Sequence, residues 1–285
     1  MHGQHREMLS YRHSFHAGNH ADMLKHFTLF LTLEYFGRKD KPYWYIDTHA
    51  GAGLYALDSG FAQKLGEYRD GWLRVRQAEK LPADLARFAD FVRERQPENR
   101  YCGSPWLAAE LLRPDDRIRC FEMHPADFPL LEQTFASAGR RAQVRCEDGY
   151  GGLLSLLPPP PRRAVVLVDP PYEEKQDYRR AVDTLKAALK RFATGCYLVW
   201  YPCLSRAESR TLPEKLAAFS PKSLRAELHV RRPQADGFGM HGSGMFVINP
   251  PYVLAAQLRE NLPALTRLLA QDDGAHFVLE TQGLD

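Results

Sequence analysis

The stretch AVVLVDPPYEEK, residues 164–175, runs through five apolar residues without interruption and then breaks on Asp169, Pro170, Pro171 and Tyr172. A short, unbroken, β-branched run reads as a strand buried on both faces, as in parallel sheets covered by helices. The two prolines then remove two successive backbone N–H donors and set φ, so the strand has a rigid exit. An acid at such an exit is either part of a strand-end turn or an acceptor held toward a ligand. The rest of the chain decides between them.

Seven apolar runs of strand length occur, at 43–51, 117–125, 142–149, 164–171, 196–202, 224–230 and 244–251. Helical patterns separate most of them, at 104–113, 127–139, 177–195 and 208–219. This alternation predicts an α/β fold: a Rossmann-like, seven-stranded, mostly parallel sheet with helices on both faces. About fifty residues between the first strand and Ser104 exceed an ordinary strand–helix loop. They carry Leu81, Leu85, Phe88 and Val92 at helical spacing. A small helical insertion over about 55–102, standing on the sheet rim, is expected there. Before the first strand, NHADMLKHFTLFLTLEYFGRK predicts a helix starting near Asn19 or Asp22 and ending near Gly37.

The composition, 44% hydrophobic and 26% charged with a net charge of +3, is that of an ordinary globular chain. No apolar run approaches the roughly 18 residues of a membrane span, and the polar N-terminus has no signal-peptide core. Residues 1–7 read as a leader or tag before Met8, with one domain over 8–285. The five cysteines, at 102, 120, 146, 196 and 203, are scattered and form no C-x-x-C pair. Neither a disulfide framework nor a zinc site is suggested, and reduced thiols fit a cytoplasmic location. His13, His16, His20 and His26 cluster without the partners of a metal motif, so they read as surface or phosphate-contact residues rather than ligands.

The chemistry gathers at strand ends. DTHAGAG (47–53) ends the first strand in an acid, a histidine and small residues, as nucleotide-binding crevices do. Glu122 ends the second, Asp148 the third and Asp169 the fourth. Strand-end acids are often only turn residues, but four on one rim favour a site. An adenine exocyclic amine is a poor nucleophile because its lone pair is delocalised into the ring. Asp169 and the Pro170 carbonyl can accept its two N–H bonds and turn the lone pair toward an electrophile, while Tyr172 offers a stacking face. No metal is needed.

Together with these residues, MLSYRHSFHAGNHAD, KHF, GSP, FEMHP, KRFATG, WYP and SGMFVINPP resemble, from Met8 to about Tyr252, the bacterial 23S ribosomal RNA adenine-N6 methyltransferases of the RlmJ type. The resemblance implies a class I methyltransferase that takes S-adenosylmethionine and leaves S-adenosylhomocysteine. It implies Asp169, Pro170 and Tyr172 at the reacting centre. His26, His49, Gly51, Ser104, Glu122, Asp148, Gly149 and Asp169 would line the cofactor pocket, with Tyr11 and Lys25 at the target nucleotide. Met123 stands where the family often has Leu. The implied partner is 23S rRNA before full subunit assembly, bound by a monomer with no membrane and no metal.

Other readings of single residues stay open. Ser104 could cap the helix beginning SPWLAAELL, His49 could be a turn residue, Tyr11 packing and Lys25 a solvated charge. Asn249-Pro250-Pro251-Tyr252 is a competing form of the same four-residue motif, and its place after the seventh strand marks it as a decoy. Arginine pairs at 139–145, 162–163, 178–180 and 229–233 permit a basic face. The alternatives for the whole chain are a DNA adenine-N6 methyltransferase and a non-catalytic RNA-binding assembly factor. A nicotinamide oxidoreductase is disfavoured by the missing G-x-G-x-x-G.

Overall fold

The computed structural model describes residues 16–58, 64–97, 99–234, 237 and 239–284. Tyr11, His13 and residues 1–7 therefore lie outside the described residues. In chain order the elements are α1 (His20–Gly37), β1 (Trp44–Asp47), β2 (Leu54–Ala56), α2 (Trp72–Gln77), α3 (Ala83–Arg95), β3 (Arg100–Cys102), α4 (Ser104–Leu111), β4 (Arg117–Phe121), α5 (Phe128–Phe135) and β5 (Ala142–Arg145). There follow α6 (Gly149–Leu156), β6 (Ala164–Val168), α7 (Lys175–Arg191), β7 (Cys196–Cys203), α8 (Ala207–Ala217), β8 (Ser223–His229), β9 (Gly242–Ile248), α9 (Leu254–Leu269) and β10 (His276–Gln282).

The main sheet has eight strands in the order β10-β8-β9-β7-β6-β1-β4-β5. From β5 to β7 every pairing is parallel, whereas β9 and β10 run antiparallel to their neighbours. β6 is buried at all five positions, as its apolar run requires. The chain builds outward from β1 to β4 and β5, then returns across the sheet to β6 and β7. Right-handed crossovers therefore put α4 and α5 on one face and α6 and α7 on the other. That reversal opens a crevice between the carboxyl ends of β1 and β6.

Three expectations change. The sheet has an eighth strand, β10, because HFVLETQ pairs antiparallel with β8 along an exposed edge, where the short apolar run Phe277–Leu279 gave too little pattern to expect it. Three-residue strands β2 and β3 pair antiparallel in a separate ribbon, Leu54 opposite Cys102, and bring the two ends of the intervening chain together. Between them, α3 packs on α1 and α9 instead of standing on the rim: Phe88 meets Phe27 and Phe30 at 5.7 and 5.6 Å, and Asn261 accepts the Leu85 N–H. The expected helices also leave out α6 and α9, although Leu254, Leu258, Leu262, Leu265 and Leu269 recur at helical spacing in α9. In α6 the glycines of GYGGLLSL argue against a helix.

Helix α1 is buried at every position from His20 to Leu33, so it is an interior helix and not a cover. Asn19 caps it, accepting the Ala21 and Asp22 N–H groups at 2.9 and 3.1 Å. His20 and His26 are consequently buried and not on the surface as expected, and burial pushes the His20 imidazole down to about 4. Several arginines of the expected basic face are spent on backbone carbonyls: Arg141 on Ala109 and Leu112, and Arg163 on Phe36 and Lys41. Among the described residues, no helix is long and apolar enough to cross a membrane.

The Asn249-Pro250-Pro251-Tyr252 motif ends β9, whose direction is opposite to that of β6, and so falls at the other rim. Its asparagine has φ +53° and donates to the carbonyls of Ala193 and Gly195, each at 2.8 Å. It ties the α7–β7 turn to the end of β9. Asn249→Ala should therefore lower unfolding free energy by about 1–2 kcal/mol in urea titration and leave ligand binding in the crevice on the opposite rim unchanged.

Candidate functional site

A cavity of about 580 Å³ occupies the crevice, within the range of small-molecule sites. It is lined by the loops after β1, β4, β5 and β6 together with the first turns of α1. All the described residues expected at the site line it: Lys25, His26, His49, Gly51, Ser104, Glu122, Asp148, Gly149, Asp169, Pro170 and Tyr172.

The four strand-end acids lie in two tiers. Asp47 lies beneath, with no exposed surface, and is held by Tyr45 Oη at 2.7 Å, Ser104 Oγ at 2.6 Å and the His49 N–H at 3.3 Å. Burial pushes its carboxyl up to about 6, against these hydrogen bonds. Ser104 is not the helix cap; Gly103 is, and the hydroxyl turns inward to Asp47.

Glu122, Asp148 and Asp169 form the upper tier. Glu122 accepts the Gly51 N–H on one oxygen and the His124 N–H on the other, both at 2.7 Å. Burial raises it to about 7, with the two amide bonds opposing. Gly51 has φ +61°, and a Cβ there would lie 2.1 Å from Tyr55 Oη. Asp148 caps α6 through Gly151 N–H and takes a 2.8 Å bond from Arg180, whose guanidinium lies 4.7 Å from the Tyr150 ring. At Gly149 the helix comes so close to β1 that a Cβ would lie 1.8 Å from the Thr48 carbonyl. The His49 imidazole bonds Thr48 Oγ1 at 2.7 Å and meets Tyr150 edge-on at 5.0 Å; burial pushes it down to about 4, so it is neutral near pH 7.

Asp169 is held by Lys25. The ammonium lies 2.7 Å from Asp169 Oδ2 and 2.9 Å from Asp22 Oδ1, and its side chain is 5% exposed. The two carboxylates raise its pKa despite burial, so it stays a cation. Asp169 Oδ1 has no hydrogen-bond partner among the described residues. Lys25 is thus neither a solvated charge nor only a pocket wall; it orients the acid. Tyr172, at φ +52°, is 2% exposed and packs on Tyr178 at 4.5 Å and Trp200 at 6.1 Å, so its ring stiffens the loop from behind. His26 bonds Tyr101 Oη at 2.7 Å.

Sequence reading missed Asp22, Arg180 and Trp200, all in the cavity wall. Asp22 alone carried a local signal, its i,i+3 spacing to Lys25. Lys25→Met would leave two facing buried carboxylates without their cation. We expect a loss of about 3–5 kcal/mol by thermal or chemical unfolding, partly recovered when Asp22→Asn is added.

A family model described as "Ribosomal RNA large subunit methyltransferase D, RlmJ" matches residues 40–280. The chain is 44% identical to "Ribosomal RNA large subunit methyltransferase J" of Haemophilus influenzae, over 96% of this chain and 98% of that one. It is 45% identical to the Escherichia coli protein of the same name, over 94% and 97%. Protein LPL1258 from Legionella pneumophila, a crystal structure, superposes with TM-score 0.85 at 34% identity, over 94% of this chain and 98% of that one. With this sheet order, this crevice and these matches, the chain belongs to the RlmJ family of ribosomal RNA large subunit methyltransferases, on a Rossmann-like class I methyltransferase fold.

Proposed function

We propose that the protein transfers a methyl group from S-adenosylmethionine to the exocyclic N6 of one adenine in 23S ribosomal RNA. In this reading it acts as a cytoplasmic monomer before the large subunit is fully assembled. The observation that carries the chemistry is the Lys25–Asp169 pair at the β1/β6 crevice, with the second Asp169 oxygen left without a partner among the described residues. The family carries the substrate class.

The donor set suits the cofactor. Glu122, at the end of β4, stands where ribose hydroxyls need an acceptor, and Asp148 stands at the α6 N-terminus where an adenine amine needs one. Gly51 and Gly149 hold the backbone where side chains would collide with the loops that form the cradle. When bound, the cofactor supplies an electrophilic methyl on a sulfonium. The chain's part is orientation. Asp169 Oδ1 and the Pro170 carbonyl accept the two N–H bonds of the target amine, and its lone pair then points along the transfer axis. Lys25 occupies Oδ2, which keeps the carboxylate from rotating and leaves one oxygen for the amine. The extra proton leaves the nitrogen after methylation, when the amine is far more acidic, and water or Asp169 takes it. His49, being neutral, adds no positive charge beside the sulfonium.

Asp169→Ala should lower kcat by roughly 10²–10³-fold or more while calorimetry still reports S-adenosylmethionine binding. Near-normal turnover would remove Asp169 from the mechanism. Assaying transfer on naked 23S rRNA, assembled subunits and duplex DNA tests the substrate, with naked RNA expected to be methylated best. If Glu122 accepts the ribose hydroxyls, its ionised form binds better. Affinity should then rise as pH increases through about 7, and Glu122→Gln should flatten that dependence in calorimetry.

A further inference from the structure

The antiparallel half of the sheet carries a second constellation. Cys203 ends β7, while Glu227 and His229 lie two residues apart at the end of β8. Between these strands runs β9, and its Gly242 pairs in register with both Cys203 and His229. Two residues on, Gly244 pairs with both Tyr201 and Glu227. Alternation along a strand puts these positions on one face, where β9 contributes no side chain. The outer two strands therefore reach each other across it. Tyr201 Oη donates to Glu227 Oε1 at 2.7 Å over Gly244.

Over Gly242 the gap is lined by different chemistry. A sulfur from Cys203, a carboxylate oxygen from Glu227 and an imidazole nitrogen from His229 all lie within 4.8 Å of one another. With His241 they border a separate cavity of about 490 Å³. Glu227 is already arranged as a ligand would be. Tyr201 and Arg225 hold Oε1, Arg225 at 2.8 and 3.0 Å, and Oε2 is left beside His229 Nε2 at 2.9 Å. Metal-binding carboxylates commonly have their outer oxygen secured in this way. The 2.9 Å separation is within about half an ångström of the edge of a tetrahedron with bonds of about 2.0–2.1 Å. His241, 9% exposed, stacks on His229 with ring centroids 5.4 Å apart, and its Nδ1 is buried with no hydrogen-bond partner.

We propose that Cys203, Glu227 and His229, with His241 as the adjacent fourth donor, form a zinc site that ties β7 to β8 across the glycine gap in β9. The mixed sulfur, nitrogen and oxygen set selects zinc over the oxygen-seeking magnesium and calcium. Binding releases the Cys203 S–H proton to solvent, while His229 binds as a neutral imidazole through Nε2 with its proton on Nδ1, which leaves Glu227 Oε2 to the ion. The site lies outside the transfer machinery. Its role would be to brace β7, which also carries Trp200 and Pro202 of the main cavity wall.

The test uses the full chain, purified under reducing conditions, stripped with a chelator and titrated with cobalt(II). Expected are one equivalent of tight binding, a thiolate-to-cobalt charge-transfer absorption in the near ultraviolet, and bleaching of that absorption by zinc. Cys203→Ser should remove the charge-transfer absorption, and His229→Gln should weaken zinc binding at least roughly tenfold. Zinc should also raise the melting temperature of the wild-type chain but not of Cys203→Ser. A folded wild-type chain with no charge-transfer band would overturn the proposal. So would an unchanged band in Cys203→Ser, which would place the metal on another cysteine such as the exposed Cys146.

Discussion

One buried ammonium holds the reactive end of this molecule together. Lys25 sits between Asp22, one turn earlier on its own helix, and Asp169, at the end of a strand far away in sequence. A lysine so deeply placed is costly unless paired, and two carboxylates there would repel each other without it. Each group is tolerable only in the presence of the others. The consequence is geometric: the interior helix α1 cannot shift relative to β6 without exposing an unpaired charge. Asp22 is anchored in turn by the Gly18 N–H at 2.8 Å, so the constraint extends to the turn that precedes the helix.

The remaining acids of the crevice are kept apart by their surroundings. Asp47 is sealed below by Tyr45 and Ser104, and Glu122 is braced by two backbone amides. Asp148 stays half-exposed against Arg180. Burial lifts the first to about 6 and the second to about 7. Several carboxylates can share one cavity because they do not all carry full charge at once and because Lys25 and Arg180 offset those that do. Asp47, unlike the other three, does not line the cavity: it ties the end of β1 to the start of α4.

The two proline-proline-tyrosine motifs show how topology assigns chemistry to similar sequences. Both follow apolar strands and both contain one residue at positive φ, the closing Tyr172 in one and the opening Asn249 in the other. β6 runs toward the crevice and β9 away from it, so one motif meets the cavity and the other closes a turn on the opposite rim. In the same way, the glycines of HGSGM look like loop residues in sequence but lie within β9, where they open a gap between β7 and β8.

Much of this was legible in one dimension. Buried parallel strands are apolar on both faces, so β1, β4, β6 and β7 stand out, and an acid that ends such a strand necessarily falls on one rim. Asn19 as a cap and Leu85, Phe88 and Val92 as a buried stripe follow from local helix chemistry. The edge strand β10, the β2–β3 ribbon and the glycine-bearing α6 were illegible because pairing and packing, not composition, make them what they are. Only the tertiary structure decided that Lys25 belongs to Asp169, that Ser104 serves Asp47 and that Cys203 faces His229. Those pairs are joined across 144, 57 and 26 residues of chain, and no periodicity or spacing encodes a contact made by folding sheet against helix. The strand pattern thus determined where a site could be, and packing determined which side chains meet there.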